Sequence, residues 1–295
     1  MSVSIAHFAD EAAPAQRLAD ALAAPLAPVT THRFPDGEIM PRVAAPASPV
    51  TVVYRSLDRP NEKLVELLLA ADAWRRAGAR QLILVAPYLC YLRQDAVFAP
   101  GEPLSRDVVA PLIGARFDAV VTVQAHLHRT ADLAAALGTR ACNLMAVEPL
   151  AAALPAYDAP PLVIGPDAES ATWAGAWARR LAGEAASLRK TRRSDRDISI
   201  EMPAIAVAGR PMVIVDDVAS SGQTLERAVA LARSAGAATI DVAVVHALMD
   251  DEATQGLMRA GARRIVSTDS VAHPTNAAPL AATLAGAVRQ MIEAR

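Results

Sequence analysis

The fold is decided by the stretch Val213-Ile214-Val215-Asp216-Asp217-Val218-Ala219-Ser220-Ser221-Gly222-Gln223-Thr224-Leu225. Its first three residues are β-branched and apolar, which is typical of a buried strand. Two carboxylates and a small, hydroxyl-rich turn follow, and an amphipathic helical pattern begins at Leu225. A strand, a turn and a helix in this order bring backbone N–H groups and a helix N-terminus to one point, which is a favourable place for a phosphate.

The polar residues of this stretch indicate what else would bind there. Hydroxyls of the turn can donate hydrogen bonds to a phosphate, and Gly222 permits a positive φ or the close approach of a ligand. Asp216 and Asp217 suit sugar hydroxyls, or an anion held through Mg²⁺. The stretch therefore predicts a site for a phosphorylated sugar. The structural alternative is a buried strand that ends in an Asp-rich turn before a capped helix.

Length and composition limit the classes of protein. The 295 residues suit two domains of ordinary size, and 53% hydrophobic residues suffice for a substantial core. A net charge of −2 argues against nucleic acid as an obligate partner. Two cysteines, Cys90 and Cys142, provide neither a disulfide framework nor zinc spacing, so we expect a cytoplasmic protein. No signal peptide and no membrane-spanning run is predicted.

Strand and helix patterns alternate along the chain. A strand at Val50–Tyr54 precedes a helix predicted over 62–77, which Asn61 can cap. Ala-Gly-Ala stands between a helix and a strand at three places, centred on Gly78, Gly236 and Gly261. Such repeated units predict an α/β protein with mostly parallel sheets flanked by helices. We expect two domains of similar architecture, over 1–146 and 147–295.

Other polar groups follow predicted strands. Arg93 offers a bidentate fork for phosphate, and Gln94 an amide for a base or a phosphate. His126 and His128 come after another strand and are candidates for metal or phosphate contact. Asp167 follows a third strand and is a candidate Mg²⁺ ligand. Ligands of open α/β sheets bind at the carboxyl ends of strands, where all of these residues are expected to lie.

A basic run occurs at Arg189-Lys190-Thr191-Arg192-Arg193-Ser194-Asp195-Arg196. Charge runs are usually solvated faces of a protein. The alternative is a basic loop that closes over a polyphosphate and neutralises charge that develops during its transfer.

Taken in order, these segments resemble the ribose-phosphate diphosphokinases, or 5-phosphoribosyl diphosphate (PRPP) synthetases. The likeness covers nearly the whole chain and is closer to archaeal-type members than to the common bacterial type. The matching segments are Phe34-Pro35-Asp36-Gly37-Glu38, Tyr91-Leu92-Arg93-Gln94-Asp95, His126, Pro166-Asp167, Lys190-Thr191-Arg192 and Asp216-Asp217 through Thr224.

The resemblance implies two domains of the type I phosphoribosyltransferase-like fold, the first on the ATP side and the second on the ribose 5-phosphate side. It implies transfer of the diphosphoryl group of ATP to O1 of ribose 5-phosphate, which gives PRPP and AMP. The residues that it assigns are Lys190 and Arg192 to catalysis, Phe34, Asp36, Glu38, Arg93, Gln94 and Asp95 to ATP, Asp216, Asp217, Ser220, Ser221, Gly222, Gln223 and Thr224 to ribose 5-phosphate, and His126 and Asp167 to Mg²⁺.

Some residues depart from the family pattern. Gln124 stands where the family usually has Asp, and Ser220 and Gln223 replace an Asp and a Gly. Two other functions therefore stay open: a phosphoribosyltransferase that consumes PRPP, and a non-catalytic regulatory subunit that resembles the synthetase. The family also implies a homodimer or a larger homo-oligomer.

Overall fold

The computed structural model describes residues 2–97, 99–127, 132–166, 171–192, 198–201 and 205–293. The chain divides into two compact units, of which unit 1 comprises Met1–Leu144 with Leu280–Arg295 and unit 2 comprises Met145–Pro279. Each unit contains a six-stranded parallel sheet and a two-stranded antiparallel ribbon.

The elements follow one another in strand–helix alternation. In chain order the strands are β1 Val3–His7, β2 Leu26–Pro28, β3 Thr30–Arg33, β4 Ile39–Arg42, β5 Val50–Tyr54, β6 Gln81–Val85, β7 Ala119–Val123, β8 Arg140–Leu144, β9 Leu162–Gly165, β10 Glu184–Ser187, β11 Arg189–Arg192, β12 Ile198–Glu201, β13 Pro211–Ala219, β14 Thr239–Ala247, β15 Arg264–Thr268 and β16 Asn276–Ala278. The helices are α1 Ala12–Leu22, α2 Pro60–Arg76, α3 Ser105–Gly114, α4 Leu133–Leu137, α5 Val147–Ala153, α6 Ala171–Arg180, α7 Gln223–Ser234, α8 Asp251–Ala260 and α9 Ala281–Glu293.

The two sheets have the same strand order. It is β2-β1-β5-β6-β7-β8 in unit 1 and β10-β9-β13-β14-β15-β16 in unit 2. In unit 1, β2 pairs with one edge of β1, and β5 and the later strands are added on the other edge of β1. In unit 2, β10 and β13 flank β9 in the same way. The order therefore reverses between β1 and β5, and between β9 and β13. Such a switch point opens a crevice at the carboxyl ends of its two strands. The predicted α/β fold with mostly parallel sheets is confirmed.

The central strands are apolar on both faces because helices cover both sides of a parallel sheet. All residues of β5 are buried, and Trp74 of α2 packs in the same core. The Phe8 ring meets the Trp74 ring edge-on, with 6.4 Å between the ring centroids. Fully burying side chains of this size contributes about 1.5–3 kcal/mol each, so this core anchors the ends of β1 and α2.

The helix ends follow backbone chemistry. α2 begins at Pro60, with Arg59 as its N-cap, and not after an Asn61 cap as predicted. Proline is favoured at the first helical position because its fixed φ suits the helix and its missing N–H is not needed there. The glycines of the Ala-Gly-Ala repeats all adopt positive φ, as helix-ending glycines do. Among the described helices, none is long and apolar enough to cross a bilayer.

The C-terminal helix corrects the predicted division of the chain. α9 belongs to unit 1 and packs against α1, whereas the predicted second domain extended over 147–295. The guanidinium of Arg289 donates to the carbonyl oxygen of Ala21 at 2.5 Å, and the Gln81 amide donates to the carbonyl oxygen of Met291 at 3.1 Å. Apolar residues at helical spacing predict that one face of α9 is buried, but they do not indicate which of the two sheets that face packs against.

β13 also differs from its prediction. The strand continues through Asp216 and Asp217 to Ala219, whereas the strand predicted from the sequence ended at Val215. The long neighbouring strand β14 explains the difference, because Asp216 is in register with Val244 and Ala219 with Ala247. Both carboxylates therefore lie within the last part of a paired strand.

Candidate active site

The two carboxylates of β13 are half-buried at the switch point of unit 2. The backbone N–H of Asp217 donates to Oδ1 of Asp216 at 3.0 Å, and the N–H of Val218 donates to Oδ1 of Asp217 at 2.8 Å. These short local bonds orient both side chains at the carboxyl end of the strand.

The turn after β13 leads directly into α7, which begins at Gln223 and not at Leu225 as predicted. Ser220, Ser221 and Gln223 are exposed, whereas Gly222 is buried. Gly222 is the N-cap of α7 and has no side chain to bond the first N–H groups of that helix. Those donors and the exposed hydroxyls are suited to an anion.

Gly222 occupies a position that excludes larger residues. Its φ of +71° is one that residues with a Cβ rarely adopt. A Cβ added there would also lie 3.2 Å from the Cβ of Ala253 in α8. Of the two possibilities that the sequence offered for Gly222, the positive φ is confirmed, and the close contact with α8 adds a reason that the sequence did not reveal.

The first four residues of the basic run, Arg189–Arg192, form strand β11 of a ribbon and are not part of a loop as predicted. β11 pairs with β12 in antiparallel register, with Lys190 opposite Ile200 and Arg192 opposite Ile198. Residues 193–197, which include the rest of the basic run, lie outside the described residues. The catalytic roles of Lys190 and Arg192 stay predictions.

Of the two predicted metal ligands, the structure describes His126 but not Asp167. His126 is half-buried after β7, and the preceding Gln124 has a φ of +44°. The Gln124 N–H donates to the carbonyl oxygen of Leu144 at 2.7 Å, which directs the chain after β7. Asp167 and His128 lie outside the described residues. The described part of the chain contains no group of three His, Cys, Asp or Glu side chains placed for a metal. Since Asp167 is not described, its pairing with His126 stays a prediction.

The loop after β6 carries the predicted nucleotide residues of unit 1. Arg93 and Gln94 are exposed at the carboxyl end of the sheet, whereas Asp95 is buried. Tyr91 precedes them with a φ of +60°, and its hydroxyl donates to Oδ1 of Asn61 at 2.5 Å. The exposed pair is accessible to a ligand, and all three nucleotide contacts stay predictions.

Phe34, Asp36 and Glu38 lie in the turn between β3 and β4. The Phe34 N–H donates to the Glu38 carbonyl oxygen at 2.8 Å, and the Glu38 N–H donates to Oδ1 of Asp36 at 3.1 Å. The Phe34 ring is 39% exposed and meets the His32 ring edge-on. The hairpin therefore presents an exposed aromatic side chain and exposed carboxylates, and its contact with ATP stays a prediction.

A charged cluster at the switch point of unit 1 was not predicted from the sequence. Arg55 follows β5, is 4% exposed, and donates to Asp10 and Glu66 at 2.5 Å each. Glu11 lies 3.4 Å from the same guanidinium and accepts from the Ser56 N–H at 2.7 Å. Lys63 of α2 lies beside them and is 2.7 Å from Asp58. The only available signal was a group of charged residues after two predicted strands.

Four members of this cluster, Asp10, Arg55, Lys63 and Glu66, line part of a cavity of about 720 Å³ in unit 1. Burial raises the pKa of the Glu11 carboxyl to about 7, although Arg55 and Lys63 act in the opposite direction. The Arg55 guanidinium also lies 4.2 Å from the centroid of the Phe8 ring. The cluster is thus packed and paired internally.

Two parallel sheets of one strand order, with adjacent carboxylates and a strand–turn–helix at one switch point, define an α/β protein of the phosphoribosyltransferase type. In agreement, residues 143–280 match the phosphoribosyl transferase domain. Residues 3–116 match the N-terminal domain of ribose phosphate pyrophosphokinase.

Individual proteins show the same likeness. A ribose-phosphate pyrophosphokinase of Methanopyrus kandleri is 37% identical over 94% of this chain and 95% of its own length. One of Halobacterium salinarum is 34% identical over 87% of this chain and 91% of its own. The crystal structure of phosphoribosylpyrophosphate synthetase from Mycobacterium smegmatis has a TM-score of 0.86 and 25% identity, with 99% of both chains covered. The chain belongs to the ribose-phosphate pyrophosphokinase family.

Proposed function

We propose that this protein transfers the diphosphoryl group of ATP to O1 of ribose 5-phosphate, which yields PRPP and AMP. The observation that carries the proposal is the end of β13, where Asp216 and Asp217 precede a glycine N-cap and the exposed N-terminus of α7. One group of donors there suits a phosphate, and the adjacent carboxylates suit sugar hydroxyls. Membership of the family supports the same reaction.

Ribose 5-phosphate would bind at this edge of unit 2. The first N–H groups of α7 and the hydroxyls of Ser220, Ser221 and Thr224 would hold the 5-phosphate. Asp216 and Asp217 would accept hydrogen bonds from the ribose hydroxyls, with O1 left to attack the β-phosphorus of ATP. Their carboxylates are already oriented by backbone N–H groups, so little ordering is needed when the sugar binds.

ATP would contact Arg93 and Gln94, which are the exposed members of the loop after β6. The hairpin residues Phe34, Asp36 and Glu38, together with Asp95, would contribute to nucleotide binding. Lys190 and Arg192 would stabilise the charge that develops on the phosphoryl oxygens. Diphosphoryl transfer depends on alignment and charge neutralisation more than on covalent catalysis by the protein.

Mg²⁺ would accompany ATP, with His126 and Asp167 as the residues to hold it. An imidazole and a carboxylate are acceptable ligands, and the half-buried His126 lies at a sheet edge where ligands of this fold class bind. When bound, the ion neutralises phosphate oxygens.

The test is an assay of AMP and PRPP formation from ATP, ribose 5-phosphate and Mg²⁺, with and without inorganic phosphate. Stoichiometric AMP and PRPP are expected. Consumption of PRPP in the presence of a nucleobase would instead indicate a phosphoribosyltransferase. Binding of ATP without any turnover would indicate a regulatory subunit.

We also propose a homodimer or larger homo-oligomer in the cytoplasm. Large apolar side chains are exposed on the β3–β4 hairpin and on the neighbouring part of α2, namely Phe34, Met40, Val65 and Leu69. Both cysteines are free thiols, which suits a reducing compartment. Light scattering of the protein and of Leu69→Glu tests the assembly, because a charge on this surface should shift it toward the monomer.

A further inference from the structure

A hydroxyl on α3 holds the side chain of Gln94. Ser105 is the first residue of α3 and is buried, with 9% of its surface exposed. Its Oγ donates a hydrogen bond to Oε1 of Gln94. Gln94 itself is exposed at the carboxyl edge of the unit 1 sheet, next to Arg93. A buried group of the scaffold therefore fixes an exposed group of the predicted nucleotide site.

The backbone of Gln94 is held by two further hydrogen bonds. Its carbonyl oxygen accepts from the N–H of Arg106 at 3.3 Å, and its N–H donates to the carbonyl oxygen of Tyr91 at 3.2 Å. Leu104, the N-cap of α3, makes no side-chain cap bond, so the carbonyl oxygen of Gln94 takes over one N–H of the first helical turn. The start of α3 thus contacts Gln94 through both its backbone and its side chain.

The bond from Ser105 determines which atoms Gln94 can offer to a ligand. Its Oε1 is occupied as an acceptor, whereas Nε2 makes no hydrogen bond to any residue that the structure describes. The exposed edge of the amide is therefore a donor edge. Such an edge can bond a phosphate oxygen. Because one lone pair of Oε1 is already used by Ser105, the amide is less suited to the bidentate pair with adenine, which needs a donor and an acceptor together.

We infer that Ser105 is a positioning residue that orients the Gln94 amide to donate to a phosphate oxygen of ATP, so that Gln94 contributes to nucleotide affinity but not to the choice of base. The inference rests on the proposed function, since it takes ATP as the ligand of this loop. Hydrogen bonds to charged groups are the stronger ones, and the neighbouring Arg93 favours the same phosphate.

The experiment is a double-mutant cycle on Ser105 and Gln94. Ser105→Ala is expected to raise KM for ATP about tenfold, because the amide is free to rotate, with kcat and KM for ribose 5-phosphate changed less than twofold. Ser105→Thr retains the hydroxyl and should restore KM. In a Gln94→Ala background, Ser105→Ala should have no further effect. The ratio of kcat/KM for ATP and GTP should stay constant in all variants.

Several outcomes would overturn the inference. These are an unchanged KM for ATP in Ser105→Ala, an effect of the same size in the Gln94→Ala background, or a changed preference between ATP and GTP. If Ser105→Ala does not fold, Gln94→Glu takes its place, because it keeps the acceptor for Ser105 and replaces the donors by a second oxygen. It should raise KM for ATP more than Gln94→Ala does, and an equal or smaller rise would contradict the inference.

Failure of the proposed function would look different. A wild-type protein that forms no PRPP would overturn the proposed reaction. The same cycle would then be measured calorimetrically, as the Kd of a non-hydrolysable ATP analogue. Coupling between Ser105 and Gln94 in that Kd would support the positioning role, and additive or absent effects would exclude it.

Discussion

The two sheets of this molecule have the same strand order, but the residues at their switch points differ in charge and in pairing. In unit 2, Asp216 and Asp217 precede a glycine N-cap and a helix N-terminus with exposed hydroxyls before it. In unit 1, the equivalent position after β5 is occupied by Arg55, which is buried among Asp10, Glu11 and Glu66. One crevice presents groups that suit a ligand, and the other contains protein cations paired with protein carboxylates.

The comparison teaches that a fold provides a place for a site, and that local residues decide whether a ligand fills it. A buried cation costs much free energy unless its partners surround it, and Arg55 has such partners in the segment after β1 and on α2. We therefore expect the unit 1 cluster to contribute to stability, and the unit 2 crevice to contribute to substrate binding and turnover.

The largest effect is expected when Arg55, the central cation of the unit 1 cluster, is removed. Arg55→Met leaves buried carboxylates without their partner and should lower the free energy of unfolding by about 3–5 kcal/mol. Urea denaturation measures the change. Arg76→Met removes an exposed partner of Asp72 and should leave the urea midpoint close to that of the wild type. A variant of normal stability with a tenfold higher KM for either substrate would show that the cluster is a binding site.

The pH dependence of stability tests the same cluster next. Burial raises the pKa of Glu11 to about 7, from an ordinary value of 4.5. Its stabilising contribution is therefore complete below pH 4.5 and is lost as the pH rises through 7. The loss should be on the order of 3 kcal/mol.

Glu11→Gln should remove this part of the pH dependence, as measured by urea denaturation between pH 4.5 and 8. Glu62→Gln alters an exposed carboxylate and is the control, with a pH profile like that of the wild type. Parallel profiles for wild type and Glu11→Gln would mean that Glu11 titrates normally.

The role of unit 2 in catalysis is tested by measuring the turnover of a Lys190 variant. Lys190→Ala should lower kcat by about 10²-fold, because a cation that neutralises developing charge is lost, with little change in thermal stability. Thr191→Ala alters the next residue of β11 and should stay within about twofold of the wild type. Near wild-type turnover of purified Lys190→Ala would exclude the catalytic role.

The smallest effect is expected at the N-cap of α7. Gly222→Ala forces a Cβ into a backbone of φ +71° and against Ala253, and should raise KM for ribose 5-phosphate about tenfold with KM for ATP unchanged. Gly236→Ala is the matched control, since its φ is +81° and its nearest heavy atoms are 3.5 Å away. Both should lose about 1–2 kcal/mol of stability, because a Cβ is unfavourable at a positive φ. An equal KM change in both variants would refute a local role for Gly222.

Features that depend on one residue and its neighbours in the chain were predicted correctly from the sequence. The Ala-Gly-Ala repeats predicted helix ends at Gly78, Gly236 and Gly261, because a positive φ is a property of one residue. The predicted end of β13 was wrong, because the length of that strand depends on its partner strand. Asp216 and Asp217 lie in β13 because β14 is long enough to pair with them.

The sequence could not reveal contacts between distant residues. Ser105 and Gln94 are separated by ten residues and by a Pro-rich and Gly-containing loop, and nothing in their spacing indicates a bond between them. Arg55 and Glu66 appear in the sequence as ordinary polar residues. Their burial follows from the packing of β1 against β5 and of α2 above both.

By itself, the sequence determined the α/β class, the repeated αβ units and the polar stretch from Asp216 to Thr224, because periodicity, glycine conformation and side-chain chemistry are local properties. Only the tertiary structure decided that α9 completes unit 1, that the cation at one switch point is enclosed by carboxylates, and that the N-terminus of α7 stays open at the other. The physical reason is that burial and pairing depend on which elements meet in space, and parallel sheets bring together strand ends that lie far apart in the chain.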